Sequence, residues 1–179
     1  MKLLMFIPLL FSLTACGKYS IRNIDNPTPR PDYGGWLKQD GSPMTDLEGR
    51  QALLECGDPS PEMNRFIYER TLGIIESDDR VKHSFMVQGC MEQSGLSRNP
   101  AWGRGWTLKE SCRLFPRYAS YPACQPGAVF PQRSVERRLN SWYCKIKTDR
   151  EYCRQHAFTP SACDDPTIDY TNPPPECRP

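Results

Sequence analysis

Sulfur offers the most chemistry in this chain: nine cysteines stand at positions 16, 56, 90, 112, 124, 144, 153, 163 and 177. A thiolate attacks carbonyls, holds metals or joins a second sulfur. The only imidazoles that can assist are His83 and His156. His156 follows Cys153 closely enough to suggest a thiol nucleophile and its base. Zinc is disfavoured, because no Cys-x-x-Cys pair occurs and structural zinc sites draw on such spacing; neither a metal nor a cofactor is expected. Asp164, Asp165 and Asp169 gather oxygen ligands but lack the glycine and alternation of a calcium loop, so they read as solvation of the tail. A Gly-x-Ser-x-Gly elbow, a His-Glu-x-x-His pair and a phosphate-cradling glycine loop are all missing from the sequence, which ranks enzymatic readings low. Seven basic residues, Arg133, Arg137, Arg138, Lys145, Lys147, Arg150 and Arg154, face only Glu136, Asp149 and Glu151 over the same stretch. That excess is either a patch for an anionic partner or the solvated side of an amphipathic helix.

The compartment decides what the thiols do. Met1 and Lys2 precede an apolar run, Leu3 to Leu13, broken only by Pro8 and Ser12, and the small residues Thr14 and Ala15 lead into Cys16. This is the pattern of a cleavable export signal. The run is shorter than the roughly 20 residues needed to cross a bilayer as a helix. No transmembrane helix is expected.

Leu13-Thr14-Ala15-Cys16 resembles the lipobox of bacterial lipoproteins. The resemblance implies that Cys16 carries a diacylglycerol, that the signal peptidase cuts between Ala15 and Cys16, and that the freed amine is acylated. Each buried methylene contributes roughly 0.8 kcal/mol, so several chains together hold a protein on a membrane durably. Gly17 follows where inner-membrane lipoproteins of enterobacteria carry Asp, which by the same analogy implies the outer membrane.

Of the 179 residues, 164 remain after removal of Met1 to Ala15, enough for one domain or two small ones. Formal charge is close to neutral, and export separates the chain from nucleic acid, so no nucleic-acid partner is expected. Outside the reducing cytosol, the eight cysteines other than Cys16 read as four disulfides. Such bridges help explain how a chain with 18 prolines and 38% hydrophobic residues stays folded.

The positioning elements follow from local pattern. Residues 16–32 carry Pro27, Pro29 and Pro31 among polar neighbours and read as a tether after the lipidated cysteine. Residues 33–98 read as a helical disulfide module. In it, a helix runs from about Pro43 to Cys56, started by Ser42-Pro43 or by the capping-box pattern Thr45-x-x-Glu48, with Met44, Leu47, Leu53 and Leu54 inward. A short helix follows from Pro61 to about Leu72. A longer one starts at Ser77 or Asp78, turns Val81, Phe85 and Cys90 or Met91 inward, and stops at Gly95. Cys56 and Cys90 then lie on neighbouring helices and are expected to pair. The order Trp36, Gly41-Ser42, Cys56-Gly57, Cys90-Met91 and Gly95 loosely resembles small uncharacterised lipoproteins of Gram-negative bacteria, which imply no activity.

Residues 99–179 read as an irregular region followed by an αα-hairpin and a proline-rich tail. Up to Pro131 the stretch is rich in Gly, Pro and aromatics (Trp102, Trp106, Phe115, Tyr118, Tyr121, Phe130). A Cys112–Cys124 bridge is expected to close a loop there over a small aromatic core. From Ser134, residues Val135, Leu139, Trp142, Tyr143 and Ile146 recur as one face of a single helix. Thr148-x-x-Glu151 is expected to cap the next, with Cys144 bridged to Cys153 across the hairpin and Cys163 to Cys177 around the tail. The fold class is thus mainly α and disulfide-stabilised. The expected function is that of a membrane-anchored component of the cell envelope that binds or supports, through its lipid to the membrane and through its surface to an envelope protein, an acidic glycan or lipid A. An inhibitor or immunity-type module against a hydrolase or phage protein is the alternative, and an envelope hydrolase ranks last.

Overall fold

Thr45 opens the first helix by a reciprocal cap. Its hydroxyl accepts from the Glu48 amide, and Glu48 accepts in return from the Thr45 amide at 2.7 Å. Lys38, 2.6 Å from Glu48, and Thr45 hold that carboxyl down at about 2. This is seen in a computed structural model that describes residues 35–61, 73, 77–100 and 105–179. Cys16, the tether and the body of the helix expected before Leu72 lie outside the described residues.

A two-residue strand, β1 (Trp36–Leu37), pairs antiparallel with β2 (Ser97–Arg98). Helix α1 covers Asp46–Glu55 and α2 covers Ser77–Gln93, the latter followed by Gly95 at φ +82°, a left-handed stop that glycine accepts without steric cost. Then come α3 (Leu108–Leu114), α4 (Val135–Leu139), α5 (Trp142–Thr148) and α6 (Arg150–His156), with single 3₁₀ turns at Pro116–Tyr118, Pro122–Cys124, Pro160–Asp164 and Pro175–Cys177. The described chain is therefore mainly helical and pinned by four disulfides.

The buried residues form four clusters, each built around one bridge. Trp36, Ala52, Leu53, Val87 and Met91 enclose Cys56–Cys90. Phe85, Leu108, Tyr121 and Ala123 pack beside Cys112–Cys124. Leu54 and Tyr143 surround Cys144–Cys177, while Ala157, Ile146 and Tyr170 surround Cys153–Cys163. Small clusters of this kind supply limited apolar burial, and a bridge contributing about 2–4 kcal/mol is comparable to it. Gly89 is needed where α2 meets the aromatic region: a Cβ there would lie 2.2 Å from the Phe130 ring.

Several local expectations change. Proline at 43 does not start α1, because it stays extended in a bridge to Leu37, and Leu47 points outward at 39% exposure. The stretch after Ser134 is two helices, since the Ser141 hydroxyl accepts the Cys144 amide and starts α5 afresh, leaving Val135 exposed. Thr148 ends α5, its hydroxyl bonded back to the Cys144 carbonyl, and Asp149 caps α6 in its place. The aromatic region contains a regular helix, α3, opened by a Thr107–Glu110 capping box. Glu92 of α2 reaches it too, accepting from the Leu108 amide at 2.8 Å.

The last two bridges differ from the hairpin pairing. The break at Asp149 turns Cys144 toward Leu54 and Cys153 toward Ala157, into different clusters. The Pro160 turn then returns Cys163 to α6, and the Pro173–Pro175 segment brings Cys177 under α5. Helix α1 packs on α4 and on the Pro175–Cys177 turn.

Candidate functional site

Trp142 is the first residue of α5, fixed in place by the Ser141 cap. Its indole N–H donates to the His156 carbonyl at 3.3 Å and its ring lies 5.4 Å from that of Phe158. Tyr152 and His156, one turn apart on α6, stack at 4.1 Å between centroids. The consequence is an aromatic wall with a cleft on each side. One, of about 550 Å³, is bounded by Leu54, Gly57, Asp58, Arg137, Asn140, Tyr152 and His156. The other, of about 620 Å³, is mostly apolar, with Ile146, Ala157, Phe158, Ile168 and Pro173–Pro175 along it and Lys147, Asp169 and Arg178 among its polar groups. Both fall within the size range of ligand sites, roughly 300–1,000 Å³. A third hollow, about 650 Å³, lies between Leu108, Cys112, Ala123 and Phe130.

The seven basic residues singled out from sequence are not gathered on one open face. Arg138 is buried, at 3% exposure, and donates to the carbonyls of Glu176 and Arg178. Its Nε sits 3.1 Å from Glu55 Oε1 without hydrogen-bond alignment, so that pairing is electrostatic. Arg133 reaches the other Glu55 oxygen at 2.7 Å, and Arg137 donates to the Glu55 and Gln132 carbonyls. Arg150 and Arg154 both grip Asp164 Oδ1, at 2.7 and 2.6 Å, and Arg154 first, then Arg150, lower the carboxyl pKa. Lys145 and Lys147 lie over the rings of Tyr152 and Tyr143. Asp165 and Asp169 accept from Thr167 and Thr171 in two like turns. Among the described residues, no group of His, Cys, Asp and Glu is placed to hold a metal ion.

Sequence reasoning missed the acids that organise this region. Glu55 and Glu176 are both buried. Glu176 Oε1 accepts from the Tyr143 hydroxyl at 2.7 Å and from Arg50 at 3.2 Å. Burial pushes its pKa up, but the tyrosine, its own backbone amide and Arg50 outweigh that and leave it lowered. The available signal was a lone Glu beside Cys56 and another beside Cys177, on stretches otherwise destined for the interior. His156, exposed and stacked on Tyr152, has no thiol partner in Cys153, which is bridged to Cys163.

His83 contacts Gly57, a residue of the first cleft, with its Nε2 3.1 Å from that carbonyl, and burial lowers its pKa despite that contact. A histidine lowered in the fold is protonated first in the unfolded chain. Its contribution is therefore intact above the unfolded value of 6.5 and is lost as pH falls from there toward the folded value. Urea midpoints are expected to drop between about pH 7.5 and about pH 5.5, with a shallower drop in His83→Gln. An equal slope in both would contradict the assignment.

No helix among the described residues is long and apolar enough to cross a membrane. Comparison of the chain with protein-family models, with curated proteins and with solved structures gave no significant match.

Proposed function

We propose that the protein is a lipid-anchored component of the bacterial cell envelope, held at the outer membrane through Cys16, that acts by binding rather than by catalysis. The observation that carries the reading is the export-and-lipidation pattern ending at Cys16, taken with four disulfides buried or half-buried in the folded part. Bridges of this density suit an oxidising compartment. The binding face of the proposal is the Trp142 wall and its clefts, because the neighbouring arginines are engaged with the protein's own carboxylates and carbonyls.

Cys16→Ala is expected to abolish acyl labelling and membrane retention in the native host while leaving all four bridges, read as eight hydrogens gained on reduction by intact mass. Labelling that persisted in the variant would overturn the anchor. A photo-crosslinking residue at Ile168, which is 40% exposed beside the second cleft, is expected to trap a resident envelope component in intact cells. Capture of a single secreted or imported enzyme would favour an inhibitor instead.

A further inference from the structure

The register of the small sheet sets Arg98 directly opposite Trp36. The guanidinium lies 4.2 Å from the indole centroid, and Trp36 is itself 1% exposed, so the cation rests on a ring packed into the core. A guanidinium carries five N–H donors and no acceptor. Among the described residues none accepts from the Arg98 side chain, and no carboxylate pairs with it within 4 Å. Arg133, Arg138, Arg150 and Arg154 all differ in this respect, since each has an oxygen partner.

Arg98 instead opens onto a hollow of about 270 Å³, shared with Gly35, Gln88, Asn99, Trp106 and Ser111. The Gln88 side-chain N–H groups are already engaged, with Glu92 and with the Trp106 carbonyl, and Arg98 is the charged donor of the hollow. Glu92 is the acid whose field reaches Arg98, but its Oε1 is occupied by the Leu108 amide and by Gln88. Burial disfavours the charged form of Arg98 more than Glu92 supports it. Arg98 is half-buried, and a planar donor fork held against an aromatic ring with no protein acceptor among the described residues is the geometry that holds carboxylates and phosphates bidentately.

We propose that Arg98, oriented by Trp36, is the recognition group of a binding site for one oxyanion group, a carboxylate or a phosphate monoester at the end of a larger ligand. The hollow is below the size of whole-ligand pockets, roughly 300–1,000 Å³, and so takes a terminal group only. It shares no residue with the clefts at Trp142 and stands independently of them.

The test is a ¹H–¹⁵N titration of the full chain with acetate in one arm and inorganic phosphate in the other, at matched chloride. Saturable shifts of the Arg98 Nε–H and Trp36 indole N–H are expected in at least one arm, and the arm that responds identifies the oxyanion. Arg98→Ala and Arg98→Lys should both weaken that response by about ten- to a hundredfold, the lysine variant because it keeps the charge and loses the fork. Should Arg98→Ala not fold, the lysine variant and the unmodified chain decide. The proposal is overturned if neither anion saturates those resonances, or if Arg98→Lys binds as tightly as the parent.

Discussion

Replacing Glu55 with alanine is expected to cost about 3–5 kcal/mol of stability, the largest effect of any single exchange at a polar position in this fold. Glu55 is the only carboxylate within ion-pair distance of Arg138 among the described residues, and both are almost fully buried. Removing the acid leaves a cation that water cannot reach and that two carbonyls, of Glu176 and Arg178, only partly satisfy. Arg133 also loses its partner, but it is a third exposed and contributes little. Chemical denaturation with the disulfides intact measures the loss. The double variant Glu55→Leu with Arg138→Met should recover most of it, because the penalty belongs to the unpaired charge and not to the absence of an ion pair. A loss below about 1 kcal/mol in Glu55→Ala would mean the pair is solvated after all.

The second large effect is expected from Cys144→Ala combined with Cys177→Ala. The bridge spans 33 residues, and the loop-entropy relation gives about 4 kcal/mol for that length against about 3 kcal/mol for the ten-residue span of Cys153–Cys163. The same bridge holds Glu176 where Tyr143 and Arg50 bind its carboxylate and Arg138 its carbonyl. Opening it therefore loosens the polar network as well, so its cost should combine with that of Glu55→Ala less than additively. Thermal midpoints of the two double variants should fall in the order Cys144/Cys177 lower than Cys153/Cys163. The reverse order, or a digest peptide joining Cys144 to Cys153, would refute the connectivity.

What could be read in advance was local. The Thr45–Glu48 box, the α2 stripe ending at Gly95 and the Cys112–Cys124 bridge rest on contacts that spacing along the chain encodes, and Cys56–Cys90 joins two helices each marked by its own local signals. Periodicity failed after Ser134 because Ser141 and Asp149 have better uses as caps than as helix interior, and each restart rotates the following face. It failed for Cys144 because the partner returns through a proline-rich segment whose path no local rule specifies. The acids Glu55 and Glu176 were hidden for the same reason: their side-chain partners are 33 to 126 residues away. The basic excess was visible, but whether a cation faces a partner or its own chain is a tertiary fact.

The order of the cross-links bears on biogenesis. Cys153–Cys163 is nested inside Cys144–Cys177, whereas the earlier two bridges join neighbours in sequence. For a polypeptide threaded out of the cytoplasm from its N-terminal end, an oxidase joining thiols in order of arrival makes the first two links correctly and then traps Cys144 with Cys153. If the chain is exported as proposed, its native maturation is expected to require a rearrangement step, and the yield of native bridges to fall more on loss of the host's isomerase than of its oxidase.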